Sequence, residues 1–96
     1  MVTPVYSFDE WTLVDFEPAA YPHKYRAIIR NNAAPDWVVR IAFGRRGYDQ
    51  YHDQVFGLFA NRDHLDPQRR AAYRARHARD RLDEFSPGYF SMRYLW

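Results

Sequence analysis

The chain has 96 residues, a formal net charge of +2, no cysteine and an aromatic content of 19%. That length is one domain's worth of chain. The absence of thiols excludes disulfides and thiolate metal sites, and no run approaches the roughly eighteen apolar residues of a membrane span.

The start, Met1-Val2-Thr3-Pro4, lacks a basic region and a long apolar run, so it does not read as a secretory signal peptide. Charge is uneven along the chain. Residues 1–60 hold six basic and seven acidic side chains, and residues 61–96 hold eight basic, all Arg, against five acidic. Arg suits bidentate contact with phosphate or carboxylate. The plainer reading is a GC-rich genome, whose codons favour Arg over Lys.

In chain order, Val5 to Phe16 mixes aromatic, β-branched and acidic residues, and Trp11, Leu13 and Asp15 alternate with Thr12, Val14 and Phe16 as in a strand. Glu17 to Pro22 reads as a loop because it holds two prolines. The clearest β pattern follows. Tyr25, Ala27 and Ile29 alternate with Arg26, Ile28 and Arg30, and Trp37, Val39, Ile41 and Phe43 alternate with Val38, Arg40 and Ala42. Turn formers from Asn31 to Asp36 join the two runs, which predicts a hairpin of about 24–30 with 37–43. Its apolar face needs a cover.

Gly44 and Gly47 bracket a turn out of the sheet. Tyr51, Val55, Phe56 and Phe59 at helical spacings suggest a short helix from Asp49 to Ala60, with Asp49 as its cap and Gly57 weakening it. The strongest helix signal starts at Asp66-Pro67, a good cap followed by proline at the first helical position. It runs to about Leu82, with a small-residue stripe at Ala71, Ala75, Ala78 and Leu82 that would let it lie close to the sheet. Ser86-Pro87 signals a final short helix. The tail holds Tyr89, Phe90, Met92, Tyr94, Leu95 and Trp96, and so much apolar surface must dock on this domain or on another protein. The expected fold is α+β: a small antiparallel sheet covered by a helix at about 67–82 and by the aromatic tail.

Several quoted motifs then form a pattern. They are Phe43-Gly44, Gly47-Tyr48-Asp49-Gln50-Tyr51, His64-Leu65-Asp66, Arg69, Tyr73, Arg76-His77, Pro87-Gly88-Tyr89-Phe90-Ser91 and Leu95-Trp96. Together they resemble a group of small proteins encoded by large DNA viruses of algae and amoebae. The resemblance covers roughly residues 25–96. It departs at His52 to Arg62, about ten residues more than the pattern has there. Residues 1–21 have no counterpart in it and stand as a candidate loosely attached arm on a core of 22–96. The resemblance implies a viral origin and a virion or host-cytoplasm setting; it carries over no biochemical role.

Two constellations could carry function. Asp49, His64, Asp66, Arg69, Tyr73, Arg76 and His77 form a polar cluster, since 69, 73, 76 and 77 share one helix face. It could bind an anion or a metal, the latter through His64, His77 and Asp49 or Asp66. The plainer reading is a hydrogen-bonded network with Asp66 merely capping, and the spacing matches no standard zinc signature. The second constellation is the run Arg69, Arg70, Arg74, Arg76, Arg79 and Arg81, which could meet phosphates or simply form a solvated face. No nucleophile motif, phosphate loop or paired-carboxylate signature is present, so no catalytic residue, metal or cofactor is assigned.

The leading expectation is a small non-enzymatic viral protein acting through protein–protein contacts, such as a minor capsid or other virion-associated component. Trp11, the tail to Trp96 and the Arg helix would bridge neighbouring viral proteins or copies of itself. The alternatives are a basic nucleic-acid-binding protein using the Arg helix, and a small hydrolase such as a nuclease built on His64, Asp66 and His77.

Overall fold

The computed structural model describes residues 5–79 and 84–96. Three strands, β1 (Trp11–Pro18), β2 (His23–Asn31) and β3 (Val38–Arg45), form one antiparallel sheet in the order β1-β2-β3. Two helices follow, α1 (Pro67–Arg76) and α2 (Pro87–Tyr94). The fold is the α+β arrangement that the alternating patterns predict.

The hairpin forms where expected, with Tyr25 opposite Phe43 and Arg30 opposite Val38. Its turn is held by Asn31, whose side-chain oxygen accepts the N–H groups of Ala33 and Ala34 at 3.0 and 2.9 Å. The leading segment supplies β1, which continues through Glu17 to Pro18 rather than giving way to a loop. Its register shifts between Leu13 and Asp15. Such a bulge adds one residue to a strand and reverses the alternation beyond it. Strict alternation places Asp15 with Trp11; after the bulge Phe16 is the residue packed against the core, and Asp15 is exposed.

The core lies on one face of the sheet. Tyr25, Ala27, Ile29, Ile41, Phe43 and Trp11 meet Phe85, Phe90 and Leu95. Its cover comes mainly from the aromatic tail, because α2 is the helix that packs on β3. Phe90 is fully buried and Leu95 is 2% exposed, so the tail docks on its own domain. Trp11 is likewise buried at 4% exposure. Trp11, Phe90 and Leu95 therefore serve the interior, while Tyr89, Tyr94 and Trp96 of the tail are only partly buried.

Both helices are entered by the same device. A residue in the left-handed region (Leu65, φ 54; Phe85, φ 45) precedes the cap, and proline follows it. Asp66 Oδ1 accepts from Gln68 N at 2.9 Å and Arg69 N at 3.4 Å, and Ser86 Oγ accepts from Tyr89 N at 3.1 Å. Phe85 also stacks on Phe90 with 4° between the rings, stapling the residue before the cap to the helix's fourth position. The helix α1 ends at Arg76, with His77 at its C-cap, short of the predicted Leu82; Asp80, Arg81, Leu82 and Asp83 lie outside the described residues. Ala71, Ala75 and Ala78 are exposed and α1 buries no residue, so the small-residue stripe is not its packing face.

The helix expected over Asp49 to Ala60 does not form. One 3₁₀ turn, Ala60–Arg62, is its nearest equivalent. The reason is local competition from side chains. Asp53 Oδ1 accepts from Val55 N at 2.9 Å, its Oδ2 accepts from Phe59 N at 3.1 Å, and Gly57 sits at φ +73. The loop's ends are closed by main-chain bonds from Gln50 N to Arg62 O and from His64 N to Gln50 O. Its start is tied to the tail by His52 N to Leu95 O and Gln54 N to Tyr94 O, each 3.0 Å.

The opposite sheet face is partly exposed. It presents Arg26, Arg30 and Arg40 with Glu17, whose Oε1 accepts from Arg40 Nε at 2.9 Å. Arg26 Nε lies 2.9 Å from the same oxygen but off hydrogen-bond geometry.

Candidate functional site

A groove of about 500 Å³ lies where β2 begins and β3 ends. One wall is the end of the sheet, with His23, Lys24 and Ala42 to Arg45. Tyr48, Asp49 and Gln50 of the next loop form the rim. Arg69, Tyr73 and Arg76 of α1 and Pro87, Ser91, Leu95 and Trp96 of the tail complete it. Lys24, Arg45, Arg69 and Arg76 make this lining strongly basic, and Asp49 is its one acidic side chain.

Lys24 lies beneath the rim. It belongs to the same alternating series as Arg26 and Arg30, yet it is only 2% exposed, because the chain from Tyr48 to Gln50 folds over it. Its Nζ donates to Tyr48 O at 2.8 Å and to Gln50 Oε1. Burial pulls the lysine's pKa below its ordinary value, opposed chiefly by Asp53. Gly44, at φ +71, makes room for this arrangement. A Cβ there would stand 3.0 Å from Leu95 Cδ1 and 3.1 Å from Lys24 Cβ.

Gln50 continues the network. It is fully buried, and its Nε2 donates to Phe59 O and to Asp63 Oδ1, both at 2.8 Å. Burial pushes the Asp63 carboxyl up, but hydrogen bonds from Gln50, His52 and the Asp53 N–H together hold it below the usual carboxylate range. Beside it, Tyr25 Oη donates to Asp53 Oδ2 at 2.6 Å and accepts from Leu58 N at 3.1 Å. Burial and Asp53 raise the phenol's pKa well above its ordinary value. This buried polar layer of Lys24, Gln50, Asp53 and Asp63 escaped the sequence reading. Its one visible signal was a run of polar residues between two apolar stretches, which also describes an exposed loop.

The polar cluster read from the sequence divides into two parts. Asp49, Arg69, Tyr73 and Arg76 do meet at the groove. Asp49 lies 3.7 Å from Arg69 Nη2 and 3.5 Å from Arg62 Nη1, with all three side chains about half exposed; such pairs contribute little to stability. Asp66 is the cap of α1. His64 Nδ1 accepts the Asp66 N–H at 2.9 Å, which places the ring proton on Nε2. That nitrogen is buried and makes no hydrogen bond among the described residues. His77 joins a ring stack instead: Tyr73 lies 4.2 Å from His77 and 4.0 Å from Trp96, and Trp96 is 5.2 Å from His64. The two histidines therefore sit at opposite ends of this stack, so His64, Asp66 and His77 do not converge on one reacting point. Among the described residues no group of three or more His, Asp or Glu is placed to hold a metal ion.

The arginine run divides too. Arg70 Nε donates to Trp96 O at 2.9 Å and lies over the Tyr51 ring at 4.8 Å. Arg74 Nη2 donates to Trp96 O at 3.1 Å. These two fasten α1 to Trp96. Arg69 and Arg76 face the groove, Arg79 is exposed beyond the helix, and Arg81 lies outside the described residues. Among the described residues the run is thus shared between Trp96, the groove and the surface beyond the helix. Chemically, the site can gather anionic groups along a basic cleft. Among the described residues no helix is long and apolar enough to cross a membrane.

No protein-family model matches this chain, and neither the curated proteins nor the solved structures include a significant match to it.

Proposed function

We propose that this protein works by contact rather than catalysis, as a small component of a viral assembly such as a minor capsid or other virion-associated part, with the basic groove as its working surface. The viral setting rests on the motif resemblance. The contact role rests on one observation: Arg45, Arg69 and Arg76 line an open cleft in which Asp49 is the one acidic side chain. Among the described residues, neither Arg45 nor Arg76 has a carboxylate within ion-pair distance. Clefts lined by one sign of charge concentrate ligands of the opposite sign.

A second reading, nucleic-acid binding, is favoured by Arg76 together with the exposed Arg79, whose charges would meet phosphates. Fluorescence anisotropy at low and physiological salt tests the contact role, using an acidic peptide and a non-specific DNA duplex as probes. The protein is compared with a variant carrying Arg45→Gln, Arg69→Gln and Arg76→Gln. Binding of the peptide that the triple variant loses supports the proposal. DNA binding alone, collapsing with salt, moves the second reading ahead. Binding of neither probe at low salt removes the groove as a working surface.

A further inference from the structure

The groove's construction also bears on what kind of anion it takes. Three features separate a peptide from a nucleic acid. The first is the edge of β3. The strand is last in the sheet order, and among the described residues its main-chain hydrogen bonds go only to β2 and, at Arg45 O, to the following turn. An edge of this kind has donors and acceptors facing outward, ready to pair with an extended chain. Nucleic acids have no use for that ladder.

The second feature is the shortage of open ring faces. Sequence-tolerant binding of single strands depends on aromatic platforms for successive bases. Tyr73 is sandwiched between His77 and Trp96, and the His64 ring lies 5.2 Å from that of Trp96. Of the lining Phe, Tyr and Trp rings, Tyr48 alone is exposed, at 64%, with Arg45 beside it. The third feature is the placement of charge. Arg45 stands at the end of β3, while Arg69 and Arg76 stand across the cleft on α1. A chain lying along the strand edge would pass between them.

We propose that the groove receives an extended, acidic segment of a protein partner, whose carboxylates meet Arg45, Arg69 and Arg76 and whose backbone lies along the open edge of β3. This rests on the groove being the working surface. Pairing runs along the regular part of β3 up to Phe43. At Gly44 the chain turns through φ +71, and from there the segment continues into the cleft between the arginines.

The probe is an acetylated, amidated peptide of about eight residues alternating Glu with Thr, long enough to match one strand. A second peptide of the same sequence has alternate amides N-methylated; it keeps the charge and loses the ladder. Binding is read by anisotropy, and hydrogen exchange of the β3 amides is followed by NMR. The proposal expects slowed exchange in β3, a loss of about tenfold on N-methylation and about fivefold on Arg76→Gln. It expects no change on Arg30→Gln, a control on the partly exposed sheet face, opposite Val38. Equal binding of both peptides with β3 exchange unchanged overturns the strand pairing while leaving the basic groove intact as a contact surface. A single-stranded oligonucleotide that binds through Arg45 and Arg76 where the peptide does not overturns the protein partner. Failure of both probes overturns the groove reading itself.

Discussion

Replacing Tyr25 by Phe removes one oxygen from the centre of the molecule and tests whether the buried polar layer holds the long loop in place. The hydroxyl donates to Asp53 Oδ2 at 2.6 Å and accepts from Leu58 N at 3.1 Å. Tyr25 is fully buried and Asp53 is 5% exposed, so water does not readily replace the lost donor. A hydrogen bond to a charged group contributes about 1.5–3 kcal/mol, and a neutral one about 0.5–1.5 kcal/mol. The Leu58 bond counts near the low end because that residue is exposed. The expected loss is about 2–3 kcal/mol, or roughly 10–20 °C in Tm for a domain of this size. Urea unfolding at neutral pH measures it, with Tyr48→Phe as an exposed control that changes stability by less than about 0.5 kcal/mol. Hydrogen exchange supplies the location: the amides of Asp53, Val55 and Phe59, which the layer fixes, should accelerate more than those of β2. A loss below about 0.5 kcal/mol, or acceleration spread evenly over sheet and loop, would refute the reasoning.

Other expectations follow from single contacts. Asp63 is held below its unfolded pKa, so its contribution is fully present above the ordinary carboxylate value of 3.8 and is lost as pH falls through the lower, folded value. Urea midpoints should therefore drop more steeply below about pH 4 in the native protein than in Asp63→Asn. Gly44→Ala should cost more than the roughly 1–2 kcal/mol of a left-handed residue, because its Cβ meets Leu95 and Lys24. Gly47→Ala, with nothing within 4 Å, should cost the backbone term alone; thermal melts separate the two. Leu65→Asn should stabilise by about 0.5–1 kcal/mol, since the leucine is 58% exposed and sits at φ 54; a fall in Tm counts against strain there. Trp96→Ala removes the ring on which Tyr73 stacks, so helical amide protection in α1 should collapse while the β2–β3 ladder keeps its own.

How much was legible in the sequence depends on the range of the physics. The hairpin follows from period-two alternation flanking turn formers, because the facing of each side chain is settled by its neighbours two residues away. The starts of both helices follow from Asp66-Pro67 and Ser86-Pro87, because a cap and an N1 proline act within one turn. The groove was legible in part. Asp49, Arg69, Tyr73 and Arg76 stood out as a set, and they do meet there. Other parts of its lining, His23 and Lys24 of β2 among them, come from elements distant in sequence.

What the tertiary structure alone decided involves either an added residue or a distant partner. The bulge after Leu13 moves Phe16 into the core, and no local pattern marks it. Lys24 is buried through Gln50, and the loop from Asp49 to Ala60 is tied to the sheet through the bond from Tyr25 to Asp53. The arginine run is likewise divided by Trp96, some twenty residues away, which takes Arg70 and Arg74 and leaves Arg69 and Arg76 to the groove. From its sequence, then, this protein shows where strands and helices begin and that its surface is rich in arginine. Which charges are buried, braced or offered to a partner is set by contacts between segments far apart in the chain, since a polar side chain's cost or use depends on what surrounds it after folding.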